Sequence, residues 1–369
     1  MNTSYDPYDI WSMPSLGKLK YNWSKGKLLP KLIIPLIGVA EVFFPIFLRK
    51  LLGTNKHSFA HIEAMQSFYQ IKPASQLIMD ITTLRVNDTA WGLPFGWYSK
   101  NGIYGNDTPY ITNTPYVMEA LISLAERKED FASSMSLFND TWRFLESLEI
   151  KYETDNQLAL SYAPISEPRI VINANSYAAL AYALHAVHGK EEIRGYAQKR
   201  VHRVMNWLVE QQRGDGSWLY YLDDDDGNFI DCFHSCFIVK NMIKVSKLLP
   251  SMSQELEQPI KSGWKYIRSK LFDSNYGLCR RFSVQAHRDP FKWELYDQAE
   301  YLGLLIDFGL LNEAKTFSER VKSIFFKDEK WYCRIDIFGR RWGKDFMRWG
   351  IVPFLYQYSR LEKELSETR

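Results

Sequence analysis

Apolar and polar positions alternate along the chain in blocks that repeat. Four times from residue 130 onward, an amphipathic helix with one polar face is followed by a Gly/Asp turn, a short aromatic strand, a loop and a smoother apolar helix. The strand regions of these four units are 158–164, 216–221, 277–282 and 330–335, and an earlier unit has its strand region at 91–97. The second helices of the five units begin near residues 113, 175, 233, 295 and 346.

The two helices of each unit differ in how their apolar positions are spaced. In residues 177–187 (YAALAYALHAV) apolar side chains surround the helix almost completely, which predicts a helix that is buried on most sides. Residues 193–211 keep their charged side chains on one face, which is typical of an outer helix. Buried and half-exposed helices that alternate with a period of about 50–60 residues predict two concentric rings. The predicted fold is an all-α α/α toroid of five to six helical hairpins, with short strands or turns between outer and inner helices.

The first part of the chain departs from this pattern. The outer helix of the earliest unit is expected within residues 57–84, with a break at Pro73, and the N-terminal region is the candidate for a sixth hairpin. From there on, no Pro/Gly/Ser-rich linker interrupts the repeat. The sequence therefore predicts one toroid domain over 56–369, preceded by a basic and apolar segment over 1–55.

The N-terminal segment contains an apolar run that is a candidate for membrane contact. Residues 32–48 form an apolar run of 17 residues that contains Glu41, Pro35 and Pro45. A spanning helix needs roughly 20 apolar residues, so we do not expect this run to cross a bilayer. The basic residues around it are Lys18, Lys20, Lys25, Lys27 and Lys31 before the run and Arg49 and Lys50 after it. These charges suit peripheral attachment to an anionic membrane surface, and the alternative is a segment folded onto the toroid.

Charge and composition exclude several classes of protein. Residues 1–56 hold eight Lys/Arg against three acidic residues, a balance of +5, whereas the whole chain has a net charge of +3. The toroid is therefore slightly acidic, which argues against nucleic acid as a partner. The start of the chain lacks the pattern of a secretory signal, and four cysteines are too few for a disulfide framework. We expect a cytoplasmic protein, at most peripheral to the inner face of the membrane.

The toroid also predicts where a ligand binds. The inner helices begin in the loops after the strands, so their N-termini, with unpaired N–H groups, converge on one face. Aromatic and hydrogen-bonding side chains occur together in these loops, as a sugar requires, since its C–H faces stack on aromatic rings and its hydroxyls take polar groups. The candidate substrate-binding residues are Trp91, Tyr110, Asn173, Asn175, Asp215, Trp218, Glu294, Arg341, Arg348 and Trp349. For single Asn residues the alternative is helix capping, and for the tryptophans it is core packing.

Asp231 and His234 are the candidate catalytic pair. Both fall in the first turn of an inner helix, where the helix dipole stabilises a carboxylate and lowers the pKa of a histidine. A neutral histidine beside a carboxylate can act as a general acid or base, and the alternative is a capping Asp with a core histidine. Cys232 and Cys236 flank His234, but residues i and i+2 of a helix point apart, so the sequence predicts no metal site and no cofactor.

The residues leave the reaction class open. Glycoside hydrolysis needs two carboxylates, and the candidates are Asp107, Asp215, Asp231, Glu294 and Asp297. A lyase or an epimerase acting on a uronic acid needs a base and cations that neutralise the sugar carboxylate, for which Arg340, Arg341 and Arg348 are available. A glycan-binding or assembly protein without catalysis would show the same aromatic loops.

Two patterns point to isoprenoid chemistry instead. Residues 212–218 match Q-x3-G-x-W, the repeat signature of terpenoid cyclases, whose Gln and Trp tie a helix end to the next turn. Residues 223–226 satisfy the D-x-D-D pattern of cyclases that protonate an isoprenoid. The Gly227-Asn228 turn signal that follows, and the cost of placing four carboxylates in an apolar cavity, favour a solvated loop.

Four short segments together resemble one family. They are YDPYDIWS (5–12), QRGDGSW (212–218), FIDCFHSCF (229–237) and MRWG (347–350). Their order and spacing are similar to those of the bacterial polysaccharide-biosynthesis proteins of the VpsJ type, although Cys232 stands where that family usually has Asn. The resemblance implies a toroid like that of terpenoid cyclases and prenyltransferases, or of six-hairpin glycosidases, and a place in capsule, exopolysaccharide or O-antigen production.

Overall fold

The computed structural model describes residues 1, 3–24, 26–70, 72–99, 101–223, 227–285 and 289–367. Lys25 and residues 224–226, most of the D-x-D-D run, lie outside these ranges. The helices are α1 (Pro14–Ser24), α2 (Leu28–Phe43), α3 (Pro45–Leu52), α4 (Ala60–Gln66), α5 (Ala74–Thr83), α6 (Thr114–Glu126), α7 (Phe131–Ser147), α8 (Ile172–His188), α9 (Glu191–Glu210), α10 (Cys232–Leu248), α11 (Ser253–Tyr266), α12 (Leu295–Asp307), α13 (Leu311–Phe325) and α14 (Val352–Glu367). Short 3-10 or π turns occur at Asp9–Ser12, Pro250–Met252, Ile267–Leu271 and Met347–Ile351.

The strands are short and serve as connections. They are β1 (Trp97–Ser99), β2 (Gly102–Tyr104), β3 (Ile150–Glu153), β4 (Leu158–Leu160), β5 (Ile230–Asp231), β6 (Phe272–Asp273), β7 (Leu278–Cys279), β8 (Phe282–Val284), β9 (Phe291–Glu294), β10 (Phe326–Lys327), β11 (Lys330–Asp336) and β12 (Arg341–Lys344). All pair antiparallel, as β1–β2, β3–β4, β5–β8 and β6–β7 and as a sheet of β9–β12. β5 and β9 lead directly into the inner helices α10 and α12. β3, β6 and β10 come after the outer helices α7, α11 and α13, and they pair with β4, β7 and β11.

The helices form two concentric rings. In the described part of the chain the inner ring contains α4, α6, α8, α10, α12 and α14; each packs against the next, and α14 packs against α4, so the ring is closed. The outer helices α5, α7, α9, α11 and α13 each pack against the inner helix that precedes them. Inner helices are buried on nearly all sides, as α8 is from Ile172 to His185, because they contact neighbours on both sides and an outer helix behind. The predicted α/α toroid is confirmed.

Three details differ from the expectation. The sixth inner helix is α4, not a part of the N-terminal region, because all seven of its residues are buried. Pro73 lies between α4 and its outer helix α5, as the N-cap of α5. Within the described residues, no strand forms over 216–221, where Gly216 has a φ of 92° and the backbone turns back on Arg213. The last inner helix begins at Val352 and not near 346, because Gly350, with a φ of 97°, interrupts the helical backbone.

One buried arginine holds the N-terminal segment together, and hydrogen bonds from Trp342 to Glu41 and from Arg348 to Asp6 join the segment to the toroid. The Arg49 side chain is fully buried and lies 3.0 Å from Asp9 and 2.8 Å from Glu41. It also donates to the carbonyl of Asp6, and the Trp342 indole donates to the carbonyl of Glu41 (2.9 Å). No single described helix is long and apolar enough to cross a bilayer; α2 and α3 together have the composition, but their axes bend by 119° at the break.

Candidate active site

The ends of the inner helices surround a cavity of about 370 Å³. Every inner helix contributes to its wall through its first turn or through the loop before it. The wall includes Tyr8, His61, Trp97, Tyr110, Asn113, Asn173, Phe233, His234, Arg281, Asp289, Glu294, Arg334, Arg348 and Trp349. The rest of the wall is largely aromatic, with tyrosines from five different loops and helices. This is the face at which the helix N-termini converge.

The first turn of α10 holds Asp231 and His234 together. Asp231 is the N-cap of α10, and its carboxylate accepts the backbone N–H of His234 (3.1 Å). The same carboxylate lies 2.8 Å from Nδ1 of the His234 ring. The Asp231 side chain is fully buried, whereas that of His234 is 19% exposed and lines the cavity. Asp231 therefore both caps α10 and pairs with His234, two roles that the sequence offered as alternatives.

The protonation states of this pair follow from burial and charge. Burial lowers the pKa of His234 below its usual 6.5, although the Asp231 carboxylate acts in the opposite direction. Burial by itself would raise the pKa of Asp231, but the neighbouring His234 and Arg281 and the hydrogen bonds from His234 lower it overall. At neutral pH Asp231 is thus an anion that only accepts, so Nδ1 of His234 carries the proton. Nε2 is left as the basic nitrogen on the cavity side.

A network of ion pairs lies beside this histidine. Arg281 lies 3.6 Å from Asp231, 3.5 Å from Glu294 and 3.4 Å from Asp297. Glu294 is bound further by Arg334 (2.8 Å) and accepts the indole N–H of Trp349 (2.9 Å), so both its oxygens are engaged. Asp297 accepts the backbone N–H of Phe233 at the start of α10. The network joins the starts of α10, α12 and α14 into one unit.

Residues 5–12, near the start of the chain, complete the wall from the other side. Tyr8 lies edge-on between Trp97 (4.6 Å between ring centroids) and Trp349 (4.9 Å). Asp6, two residues earlier, accepts a hydrogen bond from Nη2 of Arg348 (2.8 Å). The segments YDPYDIWS and MRWG therefore meet at the cavity, which their distance in the sequence does not reveal.

Several buried polar atoms of the wall have no hydrogen-bond partner among the described residues. They are Nδ1 of His61, the hydroxyl of Tyr110, Nδ2 of Asn113 and Oδ1 of Asn173. Burial, reinforced by the charge of Arg348, lowers the pKa of His61 to about 3, so this ring is neutral. Buried polar groups are normally satisfied. The wall can therefore offer both donors and acceptors to a ligand rich in hydroxyls.

The predicted site residues divide between the wall and the structure behind it. Tyr110, Asn173, His234, Glu294, Arg348 and Trp349 line the cavity, and Asp231 lies directly behind His234. The others have structural partners. Trp91 and Trp218 are buried and donate to the carbonyls of Ile81 and Leu208, and Asn175 bonds the backbone of Leu160 and Val171. Asp215 bonds Ser217 within its turn, and Arg341 donates to the carbonyl of Ile324.

The Q-x3-G-x-W segment acts as a tie between elements. Nε2 of Gln212 lies 3.0 Å from the carbonyl of Gly216 and 3.0 Å from that of Pro259 in α11. With the bond from Trp218 to Leu208, it links the end of α9, the following turn and the next outer helix. These residues stabilise the toroid away from the cavity.

The wall residues that were not singled out from the sequence include Tyr8, His61, Arg281 and Arg334. Arg281 and Arg334 lie within the short strand regions of the third and fourth repeats (277–282 and 330–335), so the repeat itself was the available signal. His61 carried none, because α4 was not assigned to the inner ring. In the described part of the chain, no group of three or more His, Cys, Asp and Glu side chains could hold a metal ion.

Comparisons with known proteins address the fold. No family model matches the chain, and no curated protein is similar to it. Among solved structures, it is similar to cellobiose 2-epimerase from Bacillus thermoamylovorans B4167, with 10% identity, a TM-score of 0.59 and coverage of 84% of this chain and 90% of that chain. A D-mannose isomerase matches with 12% identity, a TM-score of 0.58 and coverage of 84% and 86%. A polysaccharide lyase matches with 10% identity, a TM-score of 0.55 and coverage of 86% and 94%. At these identities the likeness shows a shared α/α toroid.

Proposed function

We propose that this protein is a carbohydrate-active enzyme that binds a neutral sugar or glycan in the cavity and moves a proton on it, as an epimerase or isomerase does. The observation that carries the proposal is the Asp231–His234 pair, which leaves a basic Nε2 on the cavity side of a neutral imidazole. The names of two structural neighbours, a cellobiose epimerase and a mannose isomerase, agree with this chemistry.

The proposed step uses the residues as follows. Nε2 of His234 takes the proton from the carbon next to the sugar carbonyl, and the electron pair of that C–H bond forms an enediolate whose charge lies on the carbonyl oxygen. Asp231 stabilises the imidazolium and holds its tautomer. For the epimer, solvent water returns a proton to the opposite face of the same carbon, and the imidazolium releases its proton to solvent. For the isomer, Nε2 of His234 returns its proton to the former carbonyl carbon, and the proton of the adjacent hydroxyl passes to the former carbonyl oxygen. The partial positive charge of the inner-helix N-termini favours the intermediate anion.

The charges of the wall favour a neutral substrate over a uronic acid. The arginines of the described wall are Arg281, Arg334 and Arg348, and each is paired with a carboxylate of the protein. Arg340, one of the cations expected to bind a uronate, pairs with Asp336, and Arg341 donates to a backbone carbonyl. A lyase that must neutralise a substrate carboxylate thus finds no unpaired cation in the described part of the wall.

Hydrolysis is less well supported than proton transfer, because a carboxylate of the wall is also paired within the protein. It needs two carboxylates that act directly on the glycosidic bond. The carboxylates of the described wall are Asp289 and Glu294. Glu294 is not free to act on a glycosidic bond, because its two oxygens contact Arg334 and Trp349. The same charged groups do not suit an isoprenoid, whose cavity should be apolar.

The biological setting rests on the sequence. The four segments that resemble polysaccharide-biosynthesis proteins of the VpsJ type support a role in capsule, exopolysaccharide or O-antigen production in a bacterium. Two of these segments meet at the cavity through Asp6 and Arg348, and a third contains Asp231 and His234. A glycan-binding protein without catalysis is the principal alternative, since the aromatic wall suits either role.

A panel of neutral sugars tests the proposal. We expect the protein to convert at least one neutral reducing sugar or oligosaccharide, cellobiose and mannose included, to an epimer or isomer that chromatography separates. His234→Gln should lower the rate by about 10²–10⁴-fold, the range that a general acid or base contributes. His202→Gln, on the outer helix α9, is the matched control and should keep full activity.

Each other outcome identifies an alternative. New reducing ends without an epimer would indicate hydrolysis, and an unsaturated product from an acidic polysaccharide would indicate elimination. Sugar binding by the wild type and by the folded His234→Gln variant, with no product from either, would make the protein a glycan-binding module.

A further inference from the structure

We propose that α2, α3 and the turn between β11 and β12 form a docking surface for an anionic lipid bilayer. The surface, here called the apolar platform, presents large apolar side chains that are each 63–80% exposed: Leu28, Leu32, Leu36, Phe44, Phe47 and Phe338. Folded soluble proteins rarely leave so many large apolar groups together in water, so a platform of this kind indicates a binding surface.

The platform is continuous and has a defined shape. Leu28, Leu32 and Leu36 are four residues apart, so they lie on one face of α2. The β11–β12 turn adjoins the end of this helix, since the Arg340 guanidinium lies 4.4 Å from the ring of Phe43 and 5.5 Å from that of Phe338. The opposite side of α2 faces the protein, where Glu41 and Arg49 are buried. The helix therefore rests on the toroid with its apolar face outward.

The charges around the platform complement an anionic surface. The acidic residues of positions 1–56 are Asp6, Asp9 and Glu41, and all three are buried. Asp6 pairs with Arg348, and the other two pair with Arg49. The lysines of the same segment are left exposed at Lys18, Lys27, Lys31, Lys50 and Lys56. An apolar centre with a rim of lysines and, within residues 1–56, no exposed acid is an arrangement that inserts between lipid tails and pairs with lipid phosphates.

The geometry favours a surface position over insertion across the bilayer. Sixteen residues of α2 span about 24 Å, less than a hydrocarbon core of about 30 Å. The 119° bend then turns α3 away from the axis of α2. A second copy of the chain is a poorer occupant, because a two-fold contact would bring the lysines of one rim towards those of the other with no exposed acid of that segment to pair them.

Vesicle flotation with the full chain tests the inference. We expect the wild type to float with vesicles that contain phosphatidylglycerol and to bind phosphatidylcholine vesicles much more weakly. Leu32→Ser/Leu36→Ser should abolish flotation. Lys27→Glu/Lys31→Glu should weaken it at least about 25-fold, since each lysine near an anionic surface contributes roughly a factor of five. The matched controls are Phe131→Ser on α7 and Lys261→Glu on α11, both exposed, and both should float like the wild type.

Three results would overturn the inference. They are a wild type that floats with neither vesicle, platform variants that float as well as the wild type, and a wild-type dimer that Leu32→Ser/Leu36→Ser splits without any vesicle binding. The inference is independent of the proposed function. The platform variants keep the cavity intact, so their activity on a soluble sugar should be unchanged whether or not they bind lipid.

Discussion

His234 owes its chemistry to its position three residues after an N-cap aspartate. The turn brings the Asp231 carboxylate to 2.8 Å from Nδ1, and burial keeps the ring neutral, so the other nitrogen is the basic one. This local geometry could be predicted from the sequence, because residues i and i+3 of a helix start are close whatever the rest of the fold does. The places of Tyr8 and His61 in the cavity wall could not be predicted, because these residues reach the cavity only through contacts between distant segments.

Asp231→Asn separates the positioning role of the carboxylate from its structural role as a cap. Asparagine caps a helix as well as aspartate does, so the variant should fold with little loss of stability. Its amide can donate to Nδ1 and so favour the wrong tautomer, and we expect the rate to fall by roughly 10²-fold.

The pH dependence of the reaction rate tests how Asp231 changes the pKa of His234. His234 has a pKa below 6.5, so the wild type should lose activity only as the pH falls below that value. Asp231 raises the pKa of His234, and its removal should therefore move this acid limb to still lower pH. An acid limb that stays in place, or a variant with the wild-type rate, would contradict a positioning role for Asp231.

At the scale of elements, the inner helices could be predicted more closely than the turns that start them. The spacing of apolar residues identified α6, α8, α10 and α12 to within three residues, because each of them is buried on most sides. It failed for α4, which has only two turns, and for the start of α14, where the MRWG segment leaves helical geometry. Short or interrupted helices carry too few periods for a pattern to be recognised.

Gly350 makes that interruption possible. Its φ is 97°, and a Cβ atom there would lie 2.5 Å from the backbone nitrogen of Tyr296 in α12. Gly350→Ala should therefore cost about 2–4 kcal/mol of unfolding free energy, from the backbone conformation and the overlap together. Gly309→Ala is the matched control, because its φ is 69° but no atom lies within 4 Å of the added Cβ, and it should cost about 1 kcal/mol. Urea unfolding measures the unfolding free energy of both variants. Equal losses of this free energy would show that the contact with Tyr296 is unimportant.

At the scale of the whole molecule, closure of the ring creates the cavity. Side chains from positions 8 to 349 meet there, and one network of ion pairs fixes the starts of three inner helices. The alternation of helix types was enough to predict the toroid and the face at which the cavity lies. The polar partners across the cavity depend on the pairing of loops, which periodicity does not encode; this is why Trp91 and Trp218 were expected at the site and instead pack in the core.

Solvent deuterium incorporation tests the central claim most directly. The protein is incubated in heavy water with the sugar that it converts, and mass spectrometry and NMR locate the deuterium. We expect label at the carbon next to the carbonyl with the wild type, and incorporation slowed by about 10²–10⁴-fold with His234→Gln. Equal labelling by the two proteins, or product from the wild type with new reducing ends and no label at that carbon, would contradict proton transfer through His234.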